Sequence, residues 1–140
     1  MYIDNYFFNT AEVRIRFADT DKMAVVYNGK YFEFFEVGRT ELMRNLGLPY
    51  IEFERAGYFL PVIESYIKFS GSSFYDDIIN IETRLENIIR ATVKFEYNIL
   101  RSNTSIAKGY TVHSFMNQGS RSAVRPPKIF IDLLNSHLNK

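Results

Sequence analysis

The 140-residue sequence predicts a single α+β domain in which an antiparallel sheet wraps one long helix. Two observations carry this. Apolar and polar residues alternate in separate segments, the period of half-buried strands. Between the first of these segments and the rest lies one stretch of helical period that is apolar nearly all round in its first half, so it is buried on more than one side.

The elements follow in order. Val13, Ile15 and Phe17 alternate with Glu12, Arg14 and Arg16, a first strand. Ala18 to Tyr27 breaks the alternation, and Asp19-Thr20-Asp21 has turn or cap chemistry. From Asn28 the period becomes helical: Tyr31, Phe35, Gly38, Leu42 and Leu46 fall on one face, with Phe32, Phe34, Val37, Arg39 and Met43 beside it. Gly38 is unfavourable in a helix interior, and on the buried stripe it predicts close approach of another backbone. Gly47 and Pro49 stop the helix. Ile51 to Ala56 reads as a helical turn and Phe59 to Phe69 as a strand. Gly71-Ser72-Ser73 and Asp76-Asp77 mark a loop. Ile79 to Glu86, Thr92 to Ile99 and Ile106 to Met116 are three further strands, with Asn103 as a turn. Pro126-Pro127 opens a C-terminal helix to about Leu138. The last four strands form a meander on this reading. One helix cannot cover both faces of five strands, so the outer face and edges call for oligomerisation.

Composition excludes much. Lys plus Arg is 17 against 16 for Asp plus Glu, a net charge of +1 that argues against a large nucleic-acid footprint. Cysteine is absent, which removes disulfides, thiolate zinc sites, Fe–S clusters and a thiol nucleophile. His113 and His137 are the two imidazoles, too few for a His-rich metal centre. Met1 to Thr10 has no signal-peptide pattern and no run of about 20 apolar residues spans a membrane, so a cytoplasmic location without membrane insertion is expected. No G-x-S-x-G elbow, P-loop or G-x-G-x-x-G is present. Asp19-Thr20-Asp21 does not continue as a calcium loop, because Ala24 stands where that loop needs Gly. No metal and no cofactor is expected.

One constellation remains. Asp21 lies seven residues before Asn28, where the buried helix starts. A helix N-terminus offers unpaired N–H groups that polarise a carbonyl and stabilise an oxyanion. A carboxylate aimed at the same carbonyl acts as nucleophile or as general base toward water. A thioester suits this arrangement, since thiolate leaves readily and no histidine is needed. Asp19 reads as a turn acceptor, His113 as structural, and Glu36 and Arg39, three apart, as an ion pair.

The segment from Ile15 through Asp19-Thr20-Asp21 and Tyr27-Asn28-Gly29 to Arg39-Thr40-Glu41 resembles the signature of the 4-hydroxybenzoyl-CoA thioesterase family, most of all the branch of the acyl-CoA thioesterase of the Tol-Pal gene cluster. The likeness continues through Phe74-Tyr75-Asp76-Asp77, Ile81-Glu82-Thr83, Gly109-Tyr110-Thr111-Val112-His113 and Arg125-Pro126-Pro127. It implies one hot-dog thioesterase domain over residues 1–140, a sheet wrapped round the long helix, with a short C-terminal helix. It implies acyl-CoA hydrolysis in a homodimer with interface active sites, assembled further as a homotetramer. Asp21 takes the position of the catalytic carboxylate and the Asn28 backbone N–H that of the oxyanion donor. Tyr27, Gly29, Glu36 and Arg90 take substrate-binding positions, Arg90 toward the CoA phosphates. Two positions depart from the pattern: Ala24 replaces a Gly, and Asn28 replaces a His but preserves an N-capping residue. Acyl-carrier-protein thioesters, or acyl-CoA binding without catalysis, are the alternatives.

Overall fold

A computed structural model describes residues 2–137. Strands β1 (Tyr2–Ile3) and β2 (Tyr6–Arg14) lead through a 3-10 turn, Phe17–Asp19, to helix α1 (Lys30–Leu46). Helix α2 (Tyr50–Arg55) and strand β3 (Tyr58–Phe59) precede β4 (Val62–Phe69), β5 (Ile78–Glu86), β6 (Thr92–Arg101) and β7 (Thr104–Asn117), and β8 (Ala123–Val124) and α3 (Lys128–Ser136) follow. The sheet is antiparallel in the order β1-β2-β5-β6-β7, with β4 on the far edge of β7.

Helix α1 lies against one face of the sheet, over β2, β5 and β6. Tyr31, Phe34, Phe35, Leu42, Met43 and Leu46 pack on Ile79, Ile81, Leu85, Phe95, Tyr97 and Ile99. The Phe35 and Tyr97 rings stack at 4.1 Å. Gly38 makes the predicted close approach, but to side chains and not to a backbone: a Cβ there would overlap Thr83 Oγ1 and lie 2.8 Å from Ile81 Cγ2. Gly47 ends the helix at φ 101, the left-handed cap that glycine permits.

Three expectations change. The strands after α1 are not a four-strand meander: β5, β6 and β7 are, but β4 pairs with β7 and not with β5. The reason is that β2 pairs with β5 from Tyr6↔Glu86 to Arg14↔Ile78 and takes the edge that β4 would need. The first strand runs over Tyr6–Arg14 and not through Phe17, which sits in the 3-10 turn with 79% of its surface exposed. Asn28 does not cap α1; Gly29 occupies the N-cap without a side-chain bond. His137 is held in place: its Nε2–H donates to the Leu46 carbonyl at the end of α1 (2.8 Å) and its ring stands edge-on to Phe7. The C-terminal helix is otherwise as read, with Pro127 at its N-cap; Leu138 falls outside the described residues.

The β6–β7 turn is a tight one, with Ser102 and Asn103 both at positive φ, the geometry whose twist matches a hairpin. The outer sheet face is polar: Arg84 bonds Glu96 at 2.7 Å and lies over the Tyr6 ring, and Lys94 lies over Tyr110. The free edge of β4 is different. Val62, Ile63 and Tyr66 are 46%, 57% and 50% exposed, and among the described residues this edge has no partner strand.

Candidate active site

Asp21 stands at the start of a small hairpin. Thr20 bridges Val26, the Asp21 N–H donates to Val25 O (2.9 Å), and the Ala24 N–H donates to Asp21 O (3.0 Å). A turn closed by a left-handed residue is the standard three-residue hairpin loop. The left-handed residue is Ala24, at φ 65. An alanine there costs roughly 1–2 kcal/mol of backbone strain, and the loop holds its path nonetheless. Ala24→Gly is therefore expected to stabilise the protein by about 0.5–1 kcal/mol, the strain relieved less the extra chain entropy of glycine. Urea unfolding measures this; a lower midpoint for the variant would contradict it.

The Asp21 carboxylate is exposed, and one oxygen accepts the Met23 N–H at 2.8 Å. Its other oxygen has no partner among the described residues. Asp19 behaves differently. It is buried, accepts the Arg16 N–H (2.8 Å), and pairs with Arg16 and Lys30 at 3.1 Å. Burial alone would raise its pKa, but the Arg16 and Lys30 bonds outweigh that and hold the carboxyl below its usual value. Asp19 is the structural acceptor expected, and it ties the hairpin to the first residue of α1. Lys30 went unnoticed in the sequence. Its signal was electrostatic: a cation in a first helical turn opposes the helix dipole unless an anion holds it there.

A second brace comes from the loop before β5. Ser73 is buried; its carbonyl accepts the Val26 N–H (3.0 Å) and its hydroxyl meets Tyr31 OH at 2.8 Å. The chain between these braces enters α1 through Tyr27, Asn28 and Gly29. Their carbonyls accept the N–H groups of Lys30, Tyr31 and Phe32. The N–H groups of Asn28 and Gly29 donate to nothing among the described residues. Gly29 lies so close to Tyr27 that a Cβ would sit 3.0 Å from that ring. Asp21 thus keeps one oxygen free on the hairpin, and Asn28 and Gly29 keep two donors free at the helix start that the hairpin leads into.

Glu36 and Arg90 lie elsewhere. Glu36 is exposed two turns along α1 and makes no ion pair with Arg39, contrary to the spacing. Both line a cavity of about 210 Å³ between α1 and β6–β7. Arg90 sits in the β5–β6 loop, 3.5 Å from Glu86. That is the opposite end of β5 from Ile78, which pairs with Arg14 just before the hairpin. Within one chain Arg90 does not join Asp21.

His113 lines the same cavity but is committed internally. The Leu60 carbonyl can only accept, so Nδ1–H donates to it (2.9 Å). Nε2 therefore accepts from Thr111 Oγ1 (2.8 Å), which in turn accepts from Tyr97 OH (2.6 Å). Burial lowers the His113 pKa from 6.5 to about 4, with the Leu60 bond opposing and the Arg39 charge adding to the fall. The unfolded chain then binds more protons than the folded one between these values. Stability present above pH 6.5 is lost as pH falls toward 4, by about 3 kcal/mol in all. Urea unfolding at pH 7 and 4 should show this loss, and His113→Gln should show a smaller one; equal pH dependence would contradict the assignment.

The profile of the Thioesterase-like superfamily matches residues 15–134. The acyl-CoA thioesterase YbgC of Haemophilus influenzae is 28% identical over 129 residues, covering 90% of this chain and 92% of that protein. The DHNA-CoA thioesterase of Staphylococcus aureus superposes with a TM-score of 0.86 at 27% identity, over 94% of this chain and 91% of that one. A 4-hydroxybenzoyl CoA thioesterase variant bound to 4-hydroxybenzoyl CoA, at 22% identity, shares the hot-dog fold with a TM-score of 0.80 over 91% and 99% of the two chains.

Proposed function

The chain belongs to the Thioesterase-like superfamily, and on that premise we propose that it is an acyl-CoA thioesterase whose reacting groups are Asp21 and the Asn28 N–H. The supporting observation is a carboxylate oxygen left free on a hairpin that leads directly into a helix start with two N–H groups left free. The Asp21 carboxylate takes a proton from water while the hydroxyl oxygen attacks the thioester carbonyl. The carbonyl becomes an oxyanion and accepts from Asn28, with Gly29 adjacent. Collapse expels CoA thiolate and leaves the free acid. Direct attack by Asp21, through an acyl anhydride that water then opens, uses the same carboxylate. Tyr27 packs over Gly29 and flanks the thioester.

The proposal extends to assembly. An exposed apolar strand edge is a pairing surface. Two copies joined along β4 about a two-fold axis form one continuous sheet, with both helices on the same side. The axis makes the two β4 strands antiparallel. Each hairpin then meets its partner's β5–β6 end, which brings Glu36 toward the acyl group and Arg90 toward the CoA phosphates of the neighbouring site. A homotetramer of such dimers, a cytoplasmic location and a place in the Tol-Pal branch follow the same resemblance; sedimentation distinguishes monomer, dimer and tetramer.

The functional test is thiol release from short, long and aromatic acyl-CoAs, read with a thiol-reactive dye. The protein has no cysteine and adds no background. Turnover supports the proposal. A folded protein inert on every acyl-CoA overturns it in favour of carrier-protein thioesters or of binding alone.

A further inference from the structure

We propose that the cavity between α1 and the β6–β7 face receives the far end of the acyl group, and that Arg39 makes the site selective for acyl groups ending in a carboxylate. This rests on the thioesterase and dimer readings above.

The walls set the chemistry. Met43, Leu60 and Phe95 give the cavity an apolar lining suited to methylene groups. Arg39 and Tyr50 give it donors. Arg39 is half-buried on the second half of α1, and no carboxylate among the described residues pairs with it. It stands near the hydroxyl of Tyr97, and most of its five N–H donors have no acceptor among the described residues. The Tyr50 hydroxyl oxygen accepts the Leu60 N–H at 3.4 Å, while its own proton has no acceptor among the described residues. His113 adds nothing, as both its ring nitrogens are engaged. The one negative charge lining the cavity is Glu36, exposed at its mouth. Arg39 is the one cation lining the cavity, and no carboxylate among the described residues pairs with it. A cation partly removed from water without a counter-ion is costly, and a carboxylate accepting both arms of a guanidinium offsets that cost.

The position fits as well. Val62, at the start of β4, pairs with His113 beside the cavity. Phe69, at its end, packs 5.1 Å from Tyr31 in the first turn of α1, beside the hairpin. Antiparallel pairing of two β4 strands sets the end of one against the start of the other. Each cavity therefore faces the Asp21 hairpin of the partner. A thioester carbonyl held at one protomer's Asn28 N–H directs its acyl chain toward Arg39 of the other.

The test compares adipoyl-CoA with hexanoyl-CoA, equal in carbon number and differing in the terminal carboxylate. The wild-type protein should prefer adipoyl-CoA in kcat/KM. In Arg39→Gln the adipoyl-to-hexanoyl ratio should fall by about tenfold to a hundredfold, mainly through KM, the worth of a charge-assisted hydrogen bond. Arg39→Lys, which retains the charge, should fall between. Tyr50→Phe keeps the ring, loses one donor and should lower the ratio in the same direction, which keeps the test alive if Arg39→Gln fails to fold. Hydrolysis of hexanoyl-CoA with no preference for adipoyl-CoA would overturn the inference alone. So would an unchanged ratio in the folded Arg39 variant. Hydrolysis of neither by the folded wild type would overturn the thioesterase reading and this inference with it.

Discussion

Asp21→Asn is expected to lower kcat for acyl-CoA hydrolysis by about 10²- to 10⁴-fold, the range for a lost general base. The substitution isolates chemistry from structure. Asn retains an oxygen to accept the Met23 N–H, so the hairpin keeps its turn. It loses the charge and the proton affinity that the proposed reaction requires. The braces of the site, Asp19 with Lys30 and Ser73 with Tyr31, do not involve Asp21. Unfolding midpoint and sedimentation should therefore match wild type while turnover collapses. Turnover within tenfold of wild type would remove Asp21 from the reaction. Single turnover in isotopically labelled water separates its two roles: a nucleophilic carboxylate takes the label into the protein, whereas a general base sends it to the acid product.

Gly109→Ala is expected to be the most destabilising small substitution, by about 3 kcal/mol. A Cβ at this position in β7 would overlap the Tyr66 carbonyl oxygen of β4 and lie 3.0 Å from two atoms of the Phe35 ring. The ring cannot turn aside, because it is fully buried and stacked on Tyr97. The backbone oxygen cannot move without shifting β4, whose register Ile67↔Gly109 sets the edge proposed for dimerisation. Fold stability and assembly should fall together. Gly38→Ala meets side chains only, so it should cost less. Urea unfolding compares the two, and a Gly109→Ala loss below about 1 kcal/mol would show that β4 is free to shift.

Several elements were legible from local pattern. The helix face Tyr31-Phe35-Gly38-Leu42-Leu46 is buried as its spacing requires, since 3.6-residue periodicity is a local property of the chain. The cores of β5, β6 and β7 follow the two-residue alternation for the same reason. Phe17 misled because the alternation continued after the backbone had already turned, and periodicity carries no record of φ and ψ. Asn28 misled as a cap because capping strength describes a residue type, while the helix start was set by Asp19–Lys30 and Ser73, braces distant in sequence.

By itself the sequence determined the element types and the buried helix face, which depend on residues within a few turns of one another. Tertiary structure alone decided that β4 crosses to the edge of β7, because two strands competed for one edge of β5 and β2 occupies it. It also decided that Glu36 and Arg39 are not a pair, that Arg90 lies at the far end of the sheet from Asp21, and that Arg39 stands in a cavity with donors to spare. Those outcomes depend on which surfaces meet across the fold, and no local window of the chain contains both partners.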